Sequence, residues 1–130
     1  MSKFALQRIE SITGFQTLDK LIVDDHCQFD EFEQAISNNN KYKSELASIY
    51  NYMEQVANGN SVPEKKFKDI TPESETIKEY EFKSKSLRVY AIKKENGKII
   101  VFGGYKNKQK KEIKKFRSIK KRYLENQAKL

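Results

Sequence analysis

The sequence predicts an α+β fold: an N-terminal strand and helices packed on a small antiparallel sheet, followed by a basic C-terminal helix. Three observations predict it. Asn96-Gly97 stands between two apolar runs, the pattern of a two-residue hairpin, because both residue types tolerate positive φ. Apolar residues recur at spacings of three and four before residue 58 and again after residue 112, as on helices with one buried face. The 130 residues contain no repeat and no flexible linker, so residues 1–130 read as one domain.

Phe4 to Ile9 reads as a first strand. Thr13 to Asp25 is ambiguous, and Leu18, Leu21 and Ile22 suit a short helix. Phe29, Phe32, Glu33 and Ile36 have helical spacing, and Asn38-Asn39-Asn40 ends that helix. Tyr42, Leu46, Ile49, Tyr50, Met53 and Val56 stripe a second helix over 41–57, stopped by Asn58-Gly59. Residues 60–74, with Pro63 and Pro72, read as a connecting loop. Ile77 to Lys83, Leu87 to Lys94 and Ile99 to Tyr105 read as a three-strand meander. With Asn96-Gly97 as the loop, Glu95 faces Lys98, and the register pairs Ala91 with Phe102, Tyr90 with Gly103, Val89 with Gly104 and Arg88 with Tyr105. One face then carries Leu87, Val89, Ala91, Ile100 and Phe102 as core. The other, open face carries Arg88, Tyr90, Gly103 and Tyr105. Ile113, Phe116, Ile119, Tyr123 and Leu124 stripe the last helix, over about 108–126, whose remaining faces are almost wholly Lys and Arg.

Charge is divided along the chain. Residues 1–82 hold nine Lys/Arg and fifteen Asp/Glu, a net −6; residues 83–130 hold seventeen and three, a net +14. Such a tract attracts polyanions, nucleic acid first among them, while a Lys-rich solvated face is the plain alternative. A membrane surface fits less well, because the tract includes a strand hairpin as well as a helix. On the open face, arginine and lysine suit phosphate and tyrosine suits stacking on bases.

Other chemistries are excluded or weak. No stretch approaches the roughly 18 apolar residues of a membrane helix. Met1 to Glu10 lacks the apolar core and cleavage site of a signal peptide. Cys27 is the only cysteine, so no internal disulfide forms; together these features lead us to expect a cytoplasmic chain. His26 and Cys27 are isolated, and Asp24, Asp25, Asp30, Glu31 and Glu33 lack metal-loop spacing, so no metal or other cofactor is expected. Neither a phosphate loop nor a nucleophile elbow is present.

Tyr80-Glu81-Phe82, then Leu87-Arg88-Val89-Tyr90, then Ile100 to Lys108 (IVFGGYKNK), then a Lys-rich helix, resembles the RelE/HigB-type toxins of bacterial toxin–antitoxin pairs. The resemblance covers residues 76–125 and is consistent over 29–60, with 10–28 as an insertion. It implies a RelE-like fold and a metal-independent endoribonuclease that cleaves messenger RNA on the ribosome or free. In such an enzyme the 2′-hydroxyl attacks the adjacent phosphate, and basic side chains stabilise the charge that builds there. By position Arg88 contacts the scissile phosphate, and Tyr105, Lys106 and Lys108 form the basic end of the last strand. The sequence departs from the family where lysines precede the arginine: Glu79 and Glu81 stand there. Glu81 then serves as base, or the role moves to Lys106 or Lys108, or catalysis is lost. Tyr90, Lys83, Lys85, Lys110, Lys111 and Lys114 are the expected RNA contacts. The implied partners are messenger RNA, the ribosome and an antitoxin, either acidic or of helix-turn-helix type, from an adjacent gene. Plainer roles stay open. Arg88 facing Glu81 makes a structural ion pair, and Tyr90 and Tyr105 under the terminal helix make core aromatics. Two rival functions remain: an RNA- or ribosome-binding protein without catalysis, and a ParE-like toxin that poisons gyrase.

Overall fold

The computed structural model describes residues 2–129. Its strands are β1 (Phe4–Arg8), β2 (Thr17–Val23), β3 (Phe67–Asp69), β4 (Glu79–Lys83), β5 (Leu87–Lys94) and β6 (Gly97–Tyr105). Its helices are α1 (Gln28–Ala35), α2 (Asn40–Ala57) and α3 (Gln109–Ala128), with a single 3-10 turn at Lys106–Lys108 leading into α3. The fold is α+β. Its sheet has the order β1-β2-β6-β5-β4-β3 and is mixed, because β2 runs parallel to β6 while the other neighbours are antiparallel. Among the described residues no helix is long and apolar enough to cross a membrane.

The helices before residue 58 fold where the apolar spacing puts them. The Cys27 sulfur accepts from the amide of Asp30 at the start of α1, and Asn39 Oδ1 accepts from the amide of Tyr42 at 3.0 Å at the start of α2. Gly59 follows α2 at φ 77°, the left-handed conformation that glycine adopts without steric cost.

Four expectations are corrected. Leu18, Leu21 and Ile22 belong to strand β2, not to a helix. β2 has neighbours on both edges and buries Leu18 on one face and Leu21 on the other. A strand covered on both faces loses the alternation that would reveal it. Residues 60–74 are not all loop, since β3 adds an edge strand there. The sheet is six-stranded and mixed, where a small antiparallel one was expected.

The fourth correction is the hairpin. Glu95-Asn96 is its tip, with Asn96 at φ 58° and Lys94 opposite Gly97. Gly97 is glycine for another reason. A side chain there would collide with the backbone carbonyl of Thr17, so its absence lets β2 close against β6. A bulge follows, because Ala91 pairs with Ile100 but Tyr90 pairs with Phe102, leaving Val101 as the extra residue. Beyond it Val89 pairs with Gly103, Arg88 with Gly104 and Leu87 with Tyr105.

The bulge redistributes the faces. Leu87, Val89, Ala91 and Ile100 pack under α1 and α2 with Phe29, Phe32, Ile49 and Met53. Tyr90, Ile92, Ile99 and Phe102 pack on the opposite side with Phe116, Ile119 and Tyr123 of α3. The face expected to be open is therefore the second core, and the fold has three layers.

Candidate nucleic-acid interface

The last residues of β6 meet the β4–β5 turn and the start of α2. The amide of Lys106 donates to the carbonyl of Ser86 at 2.8 Å, tying the strand end to the turn. The turn is held from the other side by Glu45 of α2, whose Oε1 accepts from Ser84 Oγ at 2.5 Å and from the Ser86 amide at 2.7 Å. Burial works against the Glu45 charge, but these donors outweigh it and hold its carboxyl below the usual carboxylate range. Tyr42, Lys85, Ser86 and the Tyr105–Lys108 segment line the resulting open groove of about 610 Å³. The Tyr42 and Tyr105 rings are 5.6 Å apart and tilted by 53°, and Tyr105 also meets Phe32 edge-on at 5.7 Å. Gly103 makes room for this: a side chain on it would strike the Phe32 ring.

The sequence-derived site residues separate into three groups. Tyr105, Lys106, Lys108 and Lys85 come together in the groove. Lys110 and Lys114 line a second groove that runs along α3 from Lys106 and Asn107, while Lys111 is exposed outside both. Lys83 is half-buried across from Arg88.

Arg88, Tyr90 and Glu81 lie under α3 instead. Arg88 is buried, and its Nη1 donates to the carbonyls of Ser84 at 2.6 Å and Leu87 at 2.8 Å, while its Nε has no partner. Arg88 lies across from Gly104, not Tyr105, and the two side chains leave opposite faces of the sheet. The Arg88–Glu81 ion pair does not form. Glu81 lies opposite Tyr90, and its Oε2 accepts from Gln109 Nε2 at 2.6 Å. Tyr90 is fully buried between Phe102 and Phe116, so it is a core aromatic with no face open to a base. Burial, with the Glu112 carboxylate beside it, pushes its hydroxyl far above the usual range.

A pattern joins these groups. The acidic side chains near the grooves point inward and are held there. Glu79 Oε2 meets Lys120 Nζ at 2.9 Å, and its Oε1 meets Arg117 Nε at 2.9 Å. Glu112 fills the space above Gly104, where its carboxylate accepts from the Tyr105 amide at 3.3 Å. Burial raises the Glu112 pKa despite that hydrogen bond. Lys83, Lys85, Lys106, Lys108, Lys110, Lys111 and Lys114, by contrast, make no salt bridge among the described residues. Beside the grooves, then, carboxylates turn inward while lysines face solvent, and the local surface field there is positive.

The sequence reading missed Tyr42, Ser86 and Asn107. Tyr42 was legible only as one more apolar residue of the α2 stripe; no local signal marks it as the neighbour of Tyr105. Among the described residues no group of three or more His, Cys, Asp or Glu is arranged to hold a metal ion. Comparison of the chain with protein-family models, with curated proteins and with solved structures gives no match.

Proposed function

We propose that the chain binds single-stranded RNA along the groove of Tyr42, Lys85 and Tyr105–Lys108, and that it is a RelE/HigB-like toxin that cleaves messenger RNA without a metal. The observation that carries the reading is the pairing of two aromatic rings with lysines that make no salt bridge among the described residues. Rings accept a base of any sequence, and unpaired ammonium groups release the counterions of phosphates. The toxin part rests on the ordered motifs and on the run of α1, α2, the β4–β5–β6 meander and α3, in a chain that also carries β1, β2 and β3.

In the reaction proposed, the RNA 2′-oxygen attacks the adjacent phosphorus, the 5′-oxygen leaves, and a 2′,3′-cyclic phosphate forms. Lys106 and Lys108 suit stabilisation of the charge on phosphate and leaving group. Glu81 suits the base role poorly, since it is buried and bound to Gln109. An antitoxin would cover the same groove with an acidic segment, blocking RNA by charge and by occupancy.

One observation favours a second reading, RNA binding without cleavage: the Arg88 guanidinium is occupied with backbone carbonyls. The test is incubation of the purified protein with single-stranded RNA and with ribosome-bound messenger, each in excess chelator. Products ending in a cyclic phosphate support the endoribonuclease. Binding without products supports the second reading, and absence of binding ends both.

A further inference from the structure

The groove beside Tyr105 does not end at Lys108. A second groove of about 800 Å³ runs on along α3, lined by Lys106, Gln109, Lys110, Ile113, Lys114 and Arg117, and the two grooves share Lys106 and Asn107. Its floor is rigid. Gln109 is held by Glu81 at 2.6 Å, and Arg117 is held by Glu79 at 2.9 Å and by the Ile70 carbonyl at 2.8 Å. Its rim is not neutralised, since Lys106, Lys110 and Lys114 make no salt bridge among the described residues. Lys110 and Lys114 are four residues apart on one helix face, a rise of about 6 Å. Arg122 and Lys129 are as exposed but lie at the far end of α3, outside both grooves.

Resting on the RNA-binding reading above, we infer that the two grooves form one continuous track for a single strand of RNA: the Tyr42–Tyr105 end takes a base, and the Lys110–Lys114 end takes the phosphates of the neighbouring nucleotides. The ligand is thus an extended single strand. A mononucleotide leaves the α3 groove empty, and a paired base has no face free to stack on Tyr42 or Tyr105. Charge placement, not charge amount, sets the affinity of the longer ligand.

The experiment compares a uridine dinucleotide with an oligouridylate of about eight nucleotides, a length within the range of about 4–16 that single-strand sites span. Both are titrated against the parent protein, against Lys110→Glu/Lys114→Glu, and against Arg122→Glu/Lys129→Glu, which changes charge equally off the track. The inference expects the octamer to bind the parent at least tenfold more tightly than the dinucleotide. It expects Lys110→Glu/Lys114→Glu to weaken the octamer by tenfold or more while dinucleotide binding changes less than threefold, with the off-track variant near the parent. Circular dichroism melts confirm that both variants fold; Lys110→Gln/Lys114→Gln replaces the first if it does not. Equal losses in the two variants, or an RNA duplex of that length binding as tightly as the single strand, overturn the track while leaving RNA binding intact. Failure of the parent to bind either probe overturns both proposals.

Discussion

The rings of Tyr42 and Tyr105, from α2 and from the end of β6, lie 5.6 Å apart across 63 residues of sequence, with Lys106 and Lys108 beside them. Base–aromatic stacking is worth about 1–3 kcal/mol by alanine substitution. Tyr42→Ala and Tyr105→Ala are each expected to weaken single-stranded RNA binding by roughly tenfold or more, read by fluorescence anisotropy. Tyr105→Phe keeps the ring and is expected to bind like the parent. If both alanine variants bind normally, the groove is not the site.

Salt dependence reports the lysines separately. For single strands the slope of log affinity against log salt is about −0.7 per phosphate neutralised. Lys85→Gln/Lys106→Gln/Lys108→Gln is expected to flatten that slope by roughly 2 units. A slope unchanged from the parent means that these ammonium groups meet no phosphate.

Arg88 and Glu81 both lie beneath α3 without touching each other as an ion pair. A double-mutant cycle on Arg88→Ala and Glu81→Ala is therefore expected to give a coupling below about 0.5 kcal/mol in urea melts. Under the endoribonuclease reading the folded Arg88→Ala variant is expected to keep cleaving, because the buried guanidinium is spent on the Ser84 and Leu87 carbonyls and leaves the sheet on the face opposite Tyr105; cleavage lost by a variant that still folds would return the arginine to the reaction. Cleavage that survives Arg88→Ala would leave the arginine a holder of the β4–β5 turn.

Lys120 is buried on α3, where its ammonium meets Glu79 at 2.9 Å and the Ile77 carbonyl at 2.7 Å. Lys120→Met strands part of the Glu79 charge in the core and is expected to cost about 3 kcal/mol. Adding Glu79→Leu is expected to recover most of it, because the remaining partner, Arg117, is partly exposed. Chemical denaturation of the single and double variants checks both values.

Lys98 is buried against the rings of Phe67 and Tyr80 and donates to Gln16 Oε1 at 2.8 Å. Burial, with Lys93 nearby, lowers its pKa from 10.5 to about 8. Between those values the unfolded chain holds a proton that the folded chain has released, so this residue makes stability rise as pH climbs from about 8 toward 10.5. At neutral pH its buried charge is a cost. Lys98→Met is expected to raise stability at pH 7 by about 2 kcal/mol and to remove that alkaline rise. A variant less stable than the parent at pH 7 would show that the cation–π contacts outweigh burial.

Most of the elements were legible because their signals are local. The stripe from Tyr42 to Val56 is α2, the segment from Phe4 is β1, and Asn58-Gly59 ends α2 where expected. The basic character of residues 83–130 is likewise a property of sequence alone. Asn96 does turn the hairpin, yet the tip is one residue earlier than the Asn-Gly pair suggests, because Gly97 is needed for the close approach of Thr17.

What depends on distant contact was not legible. Strand β2 looked like a helix because it lies inside the sheet with a core on each face, and burial on both faces erases periodicity. The bulge at Val101 moved Phe102 to the α3 face and Tyr105 to the α2 face, since one extra residue inverts every side chain beyond it. That inversion brought Tyr105 beside Tyr42, while Arg88 and Tyr90 kept the face expected for them and Tyr90 was buried because α3 packs on that face. By itself the sequence determined the helices, the strands β1, β4, β5 and β6, and which half carries the positive charge, because propensity, spacing and charge are properties of neighbouring residues. Only the tertiary structure decided which of those residues share a surface, because register and layer packing are set by groups far apart in the chain.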